Sequence, residues 1–168
     1  MDIEIIEKEI GSVIEIEENV FMLKMPMVMG KGFGKILEYL KSNDVQEIEA
    51  PYARYLDIDW ETQVNKGIIG NTIDMLVKKW HFMIGFTSPK LLDSKNEMKA
   101  SHISHCRYVK GMHYGAYQKV GTTYKMMVAW MNENNVSPKG ESFEFYLNDP
   151  RETKKEELET MILIPLSD

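Results

Sequence analysis

The spacing of hydrophobic and polar residues predicts short strands interrupted by helices. Near the N-terminus isoleucines and valines alternate with glutamates, which is typical of one or two strands with a turn at Gly11. Further strands are predicted at 20–28, 51–58, 80–86, 99–108, 111–118, 142–148 and 159–165. Helices are predicted at 33–42 and 122–133, with another around 71–79, and the glycine-rich segment 30–34 is interpreted as a loop. The predicted fold class is α+β.

Residues 20–57 recur at 111–148 with a constant offset of 91 positions. Both helical stripes have the spacing of one helix face: Phe33, Ile36, Leu37 and Leu40 return as Tyr124, Met127, Val128 and Met131. The repeat predicts one domain made of two pseudo-symmetric βαββ modules, 1–88 and 98–168, that enclose a central ligand cleft. The segment 88–97 joins them.

One difference between the two copies is chemical: Glu144 in the second copy stands where the first has Ala53. Because strand side chains alternate between faces, Glu144 and Tyr146 should share one face with Ala53 and Tyr55. Phe143, Phe145 and Leu147 should then pack on the helix of the second module. A carboxylate ringed by aromatic side chains favours a lipophilic cation. The alternative, in which Glu144 lies on a solvated sheet face, stays open.

Composition excludes several classes of protein. The net charge is −6 and no block of lysines or arginines is present, which argues against direct binding of nucleic acid. The chain has no apolar run long enough to span a membrane. Its single cysteine, Cys106, excludes an internal disulfide and favours a cytoplasmic location. The thirteen methionines are typical of core filler or of an adaptable ligand lining.

Two segments imitate cofactor motifs without completing them. His102, His105 and Cys106 lack the partner spacing of a zinc site. The segment 30–34 lacks the Gly-Lys-Ser/Thr ending of a phosphate-binding loop. We therefore expect neither a metal nor a cofactor.

The second half carries a more specific pattern. It contains Gly115-Ala116-Tyr117 before the helix, then Tyr124 and Trp130, then Glu144-Phe145-Tyr146-Leu147-Asn148-Asp149-Pro150. It closes with Thr160-Met161-Ile162 and Ile164-Pro165-Leu166. This pattern, over residues 108–166, closely resembles the GyrI-like small-molecule-binding domain, also called the AraC-type effector-binding domain.

The resemblance implies a cleft between two βαββ modules with Glu144 as its central acid. Tyr146 would be its neighbour in the pocket wall and Tyr117 another lining aromatic. Met161 stands where many relatives have an acid, which would make the cleft more apolar. Trp80 or Trp60 could add a wall, although Trp80 equally suits a core role.

The expected function is therefore a stand-alone protein that binds hydrophobic, aromatic and often cationic small molecules, without a helix-turn-helix extension. Two alternatives remain open. In a hydrolase of reactive polycyclic compounds, Glu144 would be the general base, and Tyr146 or Tyr117 would orient the substrate. In a protein-interaction module, the cleft would hold a partner protein. An apolar cleft would also raise the pKa of Glu144 above its ordinary value of about 4.3.

Overall fold

The computed structural model describes residues 2–46, 48–60 and 79–167. Along the chain the strands and helices are β1 (Ile3–Lys8), β2 (Gly11–Phe21), α1 (Met25–Ser42), β3 (Tyr52–Tyr55), β4 (Lys79–Thr87), β5 (Met98–Ile103), β6 (Cys106–Tyr114), α2 (Val120–Glu133), β7 (Ser142–Tyr146) and β8 (Glu159–Pro165). Short 3-10 turns at Met22–Lys24 and Tyr117–Lys119 lead into the two helices. Neither described helix is long and apolar enough to cross a membrane. The predicted α+β class is confirmed.

The eight strands form one antiparallel sheet in the order β1-β6-β8-β7-β3-β4-β2-β5. Ile84, Ala53, Glu144, Ile162 and Gly111 are successive partners across its middle, so their side-chain positions share one face. Both helices cover this face: α1 contributes to the core around Ile84, and α2 to the core around Ile162. The strip of β3 and β7 lies between the helices.

The other face forms a core of its own. Tyr52, Phe143, Phe145 and Leu163 are buried there, and partly buried residues from the strands at both ends of the sheet order pack against them, such as Ile6 of β1 and Ile103 of β5. Terminal strands can share this core only if the sheet curls around it. The expectation that Phe143 and Phe145 pack on the second helix is therefore wrong, and Leu147 lies beyond β7, exposed.

The two halves of the chain have the same order of elements. β1 and β5 have equal lengths and begin at Ile3 and Met98, 95 positions apart, as do the helix starts Met25 and Val120. Each of these two strands pairs with a strand of the other half: β1 pairs with β6, and β5 pairs with β2. Each half therefore completes its edge with a strand from the other half.

The sequence offset between matching residues of the two helices changes along the helices. α1 has 18 residues and α2 has 14, so the offset is 95 positions at their starts and 91 at their ends. After the helices the geometry matches closely: Asn43 donates from Nδ2 to the Tyr39 carbonyl and Asn134 donates to the Trp130 carbonyl, both at 2.8 Å. The ungapped repeat predicted from 20–57 therefore holds only from within the helices onward, because α1 contains one additional turn.

The start of α1 corrects two predictions. Residues 20–28 are not all strand and 30–34 are not a loop, because α1 begins at Met25 and runs through all three glycines. Pro26 occupies the first turn, where its missing N–H costs nothing. Gly32 faces the sheet, and a Cβ there would lie 2.0 Å from Ile84 Cδ1. Its lack of a side chain lets the helix approach β4.

Three other boundaries differ from the predictions. Strand 99–108 is divided, since β5 ends at Ile103 and β6 begins at Cys106. β6 then continues to Tyr114, and Tyr117 lies in the following 3-10 turn. The predicted helix around 71–79 falls in 61–78, outside the described residues, except Lys79, which begins β4.

Candidate functional site

The site is centred where the two halves meet. β3 and β7 pair antiparallel, with Ala53 directly opposite Glu144. On the same face, Tyr55 stands opposite Ser142, beside the carboxylate. Because α1 and α2 cover the flanking strands, these residues lie on the strip of sheet between the two helices, which is called the cleft floor below.

Glu144 is 6% exposed and is held by tyrosine hydroxyls. Tyr124 of α2 donates to Oε1 at 3.0 Å, and Tyr146 donates to Oε2 at 3.1 Å. The Tyr55 hydroxyl adds a third hydrogen-bonding interaction. The Tyr124 hydroxyl also lies 2.7 Å from Ser142 Oγ, which fixes its orientation. A buried carboxylate is thus surrounded by neutral donors from both halves.

Burial raises the pKa of Glu144 from 4.5 to about 7, and the three tyrosine hydrogen bonds partly oppose this rise. Burial also raises the pKa values of Tyr55, Tyr124 and Tyr146, so these phenols remain neutral donors near pH 7. Within the described ranges, no lysine or arginine contributes to the Glu144 pKa. The carboxylate therefore titrates in the physiological range and, when ionised, has no counter-charge among the residues that the structure describes.

Aromatic rings wall the cleft on several sides. Trp80 of β4 packs edge-on against Tyr55 with ring centroids 6.2 Å apart. Tyr117 packs on Tyr146 at 5.3 Å, and Phe33 of α1 reaches the same ring at 6.4 Å. Rings with their edges and faces around a carboxylate form the surroundings that an aromatic or cationic guest requires.

The structure brings together six of the seven predicted site residues. Glu144, Tyr146, Tyr55, Ala53, Tyr117 and Trp80 all lie on or beside the cleft floor. Met161 does not join them, because it pairs with Phe145 and packs into the core on the opposite face. The expectation that Met161 lines the cleft is therefore corrected. Ile162 is the partner of Glu144 and shares its face, so the adjacent residue Met161 points to the other face of the sheet.

Three contributors to the site were not among the predicted site residues: Tyr124, Phe33 and Ser142. Tyr124 and Phe33 are the first members of the two helical stripes, whose spacing predicts only one face of a helix. Their signal in the sequence is the aromatic ring at equivalent positions of both copies. Ser142 shares the face of Glu144 two positions away, so alternation alone could have included it.

A second buried acid lies on the opposite face of the sheet. Glu15 of β2 is 2% exposed, accepts a hydrogen bond from the Tyr52 hydroxyl at 2.9 Å and lies 3.9 Å from Arg54 Nη1. Arg54 also donates to Glu141 at 2.7 Å. Burial raises the pKa of Glu15, while Tyr52 and Arg54 oppose the rise. Glu15 therefore has a positively charged neighbour, Arg54, and belongs to the core on the face of the sheet opposite Glu144.

The histidines do not assemble a metal site. His102 lies 2.8 Å from Glu9 and His105 lies 3.7 Å from Glu7, all on the surface. Among the described residues no group of three or more histidine, cysteine or acidic side chains could hold a metal ion.

A groove of about 570 Å³ runs beside Tyr114 and Met126, and Glu144 is not among its lining residues.

The family model of the GyrI-like small-molecule-binding domain matches residues 1–167. The chain belongs to the GyrI-like family. It is therefore a small-molecule-binding domain, in agreement with the resemblance of its second half. No curated protein matches it in sequence.

Solved structures share the GyrI-like fold at low sequence identity. An EcmrR–DNA complex contains a chain with 15% identity and a TM-score of 0.70, covering 99% of this chain and 58% of that one. A hydrolase from Listeria innocua has 12% identity and a TM-score of 0.63, covering 98% and 91%. SAV2435 bound to tetraphenylphosphonium has 12% identity and a TM-score of 0.58, covering 99% and 94%. This chain thus spans just over half of the EcmrR chain.

Proposed function

We propose that this GyrI-like domain binds hydrophobic, aromatic and cationic small molecules, with Glu144 as their counter-charge. The observation that carries the proposal is the environment of Glu144, a buried carboxylate whose hydrogen bonds come from the neutral hydroxyls of Tyr124 and Tyr146. An ionised carboxylate in such surroundings is costly until a cation compensates it. A bound organic cation supplies that charge, and its apolar groups pack against the rings.

The aromatic walls support the same class of ligand. Glu144 is surrounded by a cluster of aromatic rings. Tyr55 and Tyr146 lie next to it, and Trp80, Tyr117 and Phe33 pack on these two rings. Cation–π contacts contribute roughly 0.5–1 kcal/mol each at exposed sites and about 2 kcal/mol when desolvated. The similar fold of SAV2435, which binds tetraphenylphosphonium, supports a delocalised cation as the guest.

A matched pair of probes tests the charge. Methyltriphenylphosphonium and triphenylphosphine oxide have the same three rings, but only the first is a cation. We expect Glu144→Gln to weaken binding of the phosphonium by about 10- to 100-fold, since a charge-assisted contact is lost, and to change binding of the oxide little. Isothermal titration calorimetry at pH 8 measures both affinities.

Glu15→Gln is the control for removing a buried carboxylate. Glu15 lies on the other face of the sheet and already has Arg54 nearby, so its replacement should leave the phosphonium affinity unchanged. Equal losses for the cation and the oxide in Glu144→Gln would contradict the electrostatic role. A loss in Glu15→Gln as large as that in Glu144→Gln would contradict the location.

A second candidate function, hydrolysis, is favoured by one observation: the pKa of Glu144 near 7 suits a general base at neutral pH. In this hypothesis Glu144 activates a water, and Tyr146 orients the electrophile. The Listeria innocua hydrolase shows that a similar fold occurs in an enzyme. Product formation from a strained-ring polycyclic electrophile over many turnovers, abolished in Glu144→Gln, would favour hydrolysis over binding alone.

A further inference from the structure

Thr160 presents a second polar group beside the proposed binding cleft. It lies on β8 between His113 of β6 and Tyr146 of β7. Because Ile162 is the direct partner of Glu144, Thr160, two positions away, shares its face of the sheet. Diagonal neighbours of this kind have Cβ atoms about 7 Å apart. This spacing is within the length of one drug-sized ligand.

The Thr160 hydroxyl is buried, and none of the described residues is its hydrogen-bond partner. The residue is 0% exposed, and its Oγ1 has no hydrogen-bond partner within the part of the chain that the structure describes. Its polar neighbours are already engaged: His113 bonds the Thr123 hydroxyl at 2.8 Å and the Ala116 carbonyl at 3.1 Å, and Tyr146 donates to Glu144. An orphaned buried hydroxyl costs free energy that a ligand atom would recover.

We propose that Thr160 is a second recognition point, and that the ligands of this cleft are aromatic cations carrying an ether or carbonyl oxygen a few bonds from the cationic centre. This inference rests on the proposed function. Thr160 would donate its hydroxyl hydrogen to the ligand oxygen while Glu144 holds the charge. The Tyr117 ring is partly exposed and packs on Tyr146, the strand neighbour of Thr160, so a ligand that approaches Thr160 from this side would displace it.

The donor chemistry selects this class of ligand. A threonine hydroxyl can donate one hydrogen bond, and no described acceptor takes it. A purely hydrocarbon cation would leave the hydroxyl orphaned, whereas an oxygen at the right distance satisfies it. The distance between Glu144 and Thr160 thus makes the length of the oxygen-bearing arm a determinant of affinity.

Paired phosphonium salts test the inference. The (2-methoxyethyl)- and (3-methoxypropyl)triphenylphosphonium ions match the n-butyl and n-pentyl ions in charge and shape, and differ by one ether oxygen. We expect at least one ether cation to bind about 5- to 10-fold tighter than its alkyl partner, the usual gain from one satisfied buried hydrogen bond. In Thr160→Val this preference should fall below about 2-fold, with alkyl affinity retained. Thr122→Val, at an exposed threonine of α2, should keep the preference.

Thermal unfolding of the free protein supplies an independent readout. Thr160→Val has the same shape but no hydroxyl, so its melting temperature should equal or exceed that of the wild type by a few degrees. A lower melting temperature would show that the hydroxyl is already satisfied, by an ordered water for example, and would overturn the inference. The inference also fails if neither ether cation is preferred, or if the preference survives in Thr160→Val. Failure of the alkyl cations to depend on Glu144 would instead refute the proposed function.

Discussion

Ala53 and Glu144 lie directly opposite each other in β3 and β7, and they also occupy equivalent positions in the two halves of the chain, 91 residues apart. A residue can pair with its own equivalent in an antiparallel sheet only where the local twofold axis passes between them. Among the described residues, Glu144 is thus the acid of the cleft floor, and it lies where β3 of the first half pairs with β7 of the second. Its partner across the axis is a methyl group, which leaves space for the longer side chain.

Replacing Glu144 should change how stability depends on pH. Its folded pKa of about 7 exceeds the ordinary 4.5, so the folded state holds the proton more tightly than the unfolded state. Stability from this group is complete below the ordinary pKa and is lost as pH rises toward 7. Relative to Glu144→Gln, the wild type should lose about 2–3 kcal/mol between pH 5 and 8.5, measured by urea unfolding. Parallel pH profiles of the two proteins would contradict this prediction.

Tyr124→Phe should move the pH dependence of cation binding. The Tyr124 hydrogen bond favours the ionised carboxylate, so its removal should raise the pKa of Glu144 above about 7. Cation affinity, which needs the carboxylate, should then be lost at a higher pH than in the wild type. Phosphonium titrations from pH 5.5 to 9 give the midpoint. Tyr114→Phe, at an exposed tyrosine, should leave the midpoint in place.

Two glycines of α1 should respond oppositely to alanine. Gly32→Ala places a Cβ 2.0 Å from Ile84 Cδ1 in the core, so it should destabilise the fold by about 1–3 kcal/mol through overpacking. Gly34→Ala meets nothing within 4 Å and should stabilise the helix by up to about 1 kcal/mol. Chemical denaturation compares the two variants. Equal effects would mean that 30–34 does not pack as a helix on the sheet.

His81 should titrate above its ordinary pKa because two acids hold its ring. Nδ1 lies 2.7 Å from Asp57 and Nε2 lies 2.8 Å from Glu17, an arrangement that the imidazolium satisfies with two donors. These contacts raise its pKa from 6.5, so their stabilisation is present at lower pH and is lost as pH rises through the folded value. Asp57→Asn should lower the His81 pKa in an NMR titration. An unchanged value would show that Asp57 does not hold the ring.

Sequence reasoning placed the candidate site residues together because two local rules sufficed. Strand alternation placed Glu144, Tyr146, Ala53 and Tyr55 on one face, and the internal repeat placed Ala53 and Glu144 in equivalent positions. Alternation also shows why Met161 was misplaced. Met161 occupies the motif position where relatives have an acid. On β8 it neighbours Ile162, the partner of Glu144, so its side chain points to the opposite face of the sheet. Which residue of β8 stands opposite Glu144 depends on the pairing register, and the sequence of one strand does not reveal that register.

The sequence by itself determined the α+β class, the two described helices, most strands and the shared face of Glu144, Ala53, Tyr55 and Tyr146, because side-chain periodicity and the repeat are local properties of the chain. Tertiary structure decided the rest. The glycine-rich start of α1 is helical because Gly32 fits against Ile84, a contact 52 positions away. The pKa of Glu144 rises because strands and helices from both halves remove water around it. The Thr160 hydroxyl has no hydrogen-bond partner among the described residues, since its strand neighbours His113 and Tyr146 bond other groups. Each of these results depends on which distant residues meet, and that is set by the packing of the whole sheet.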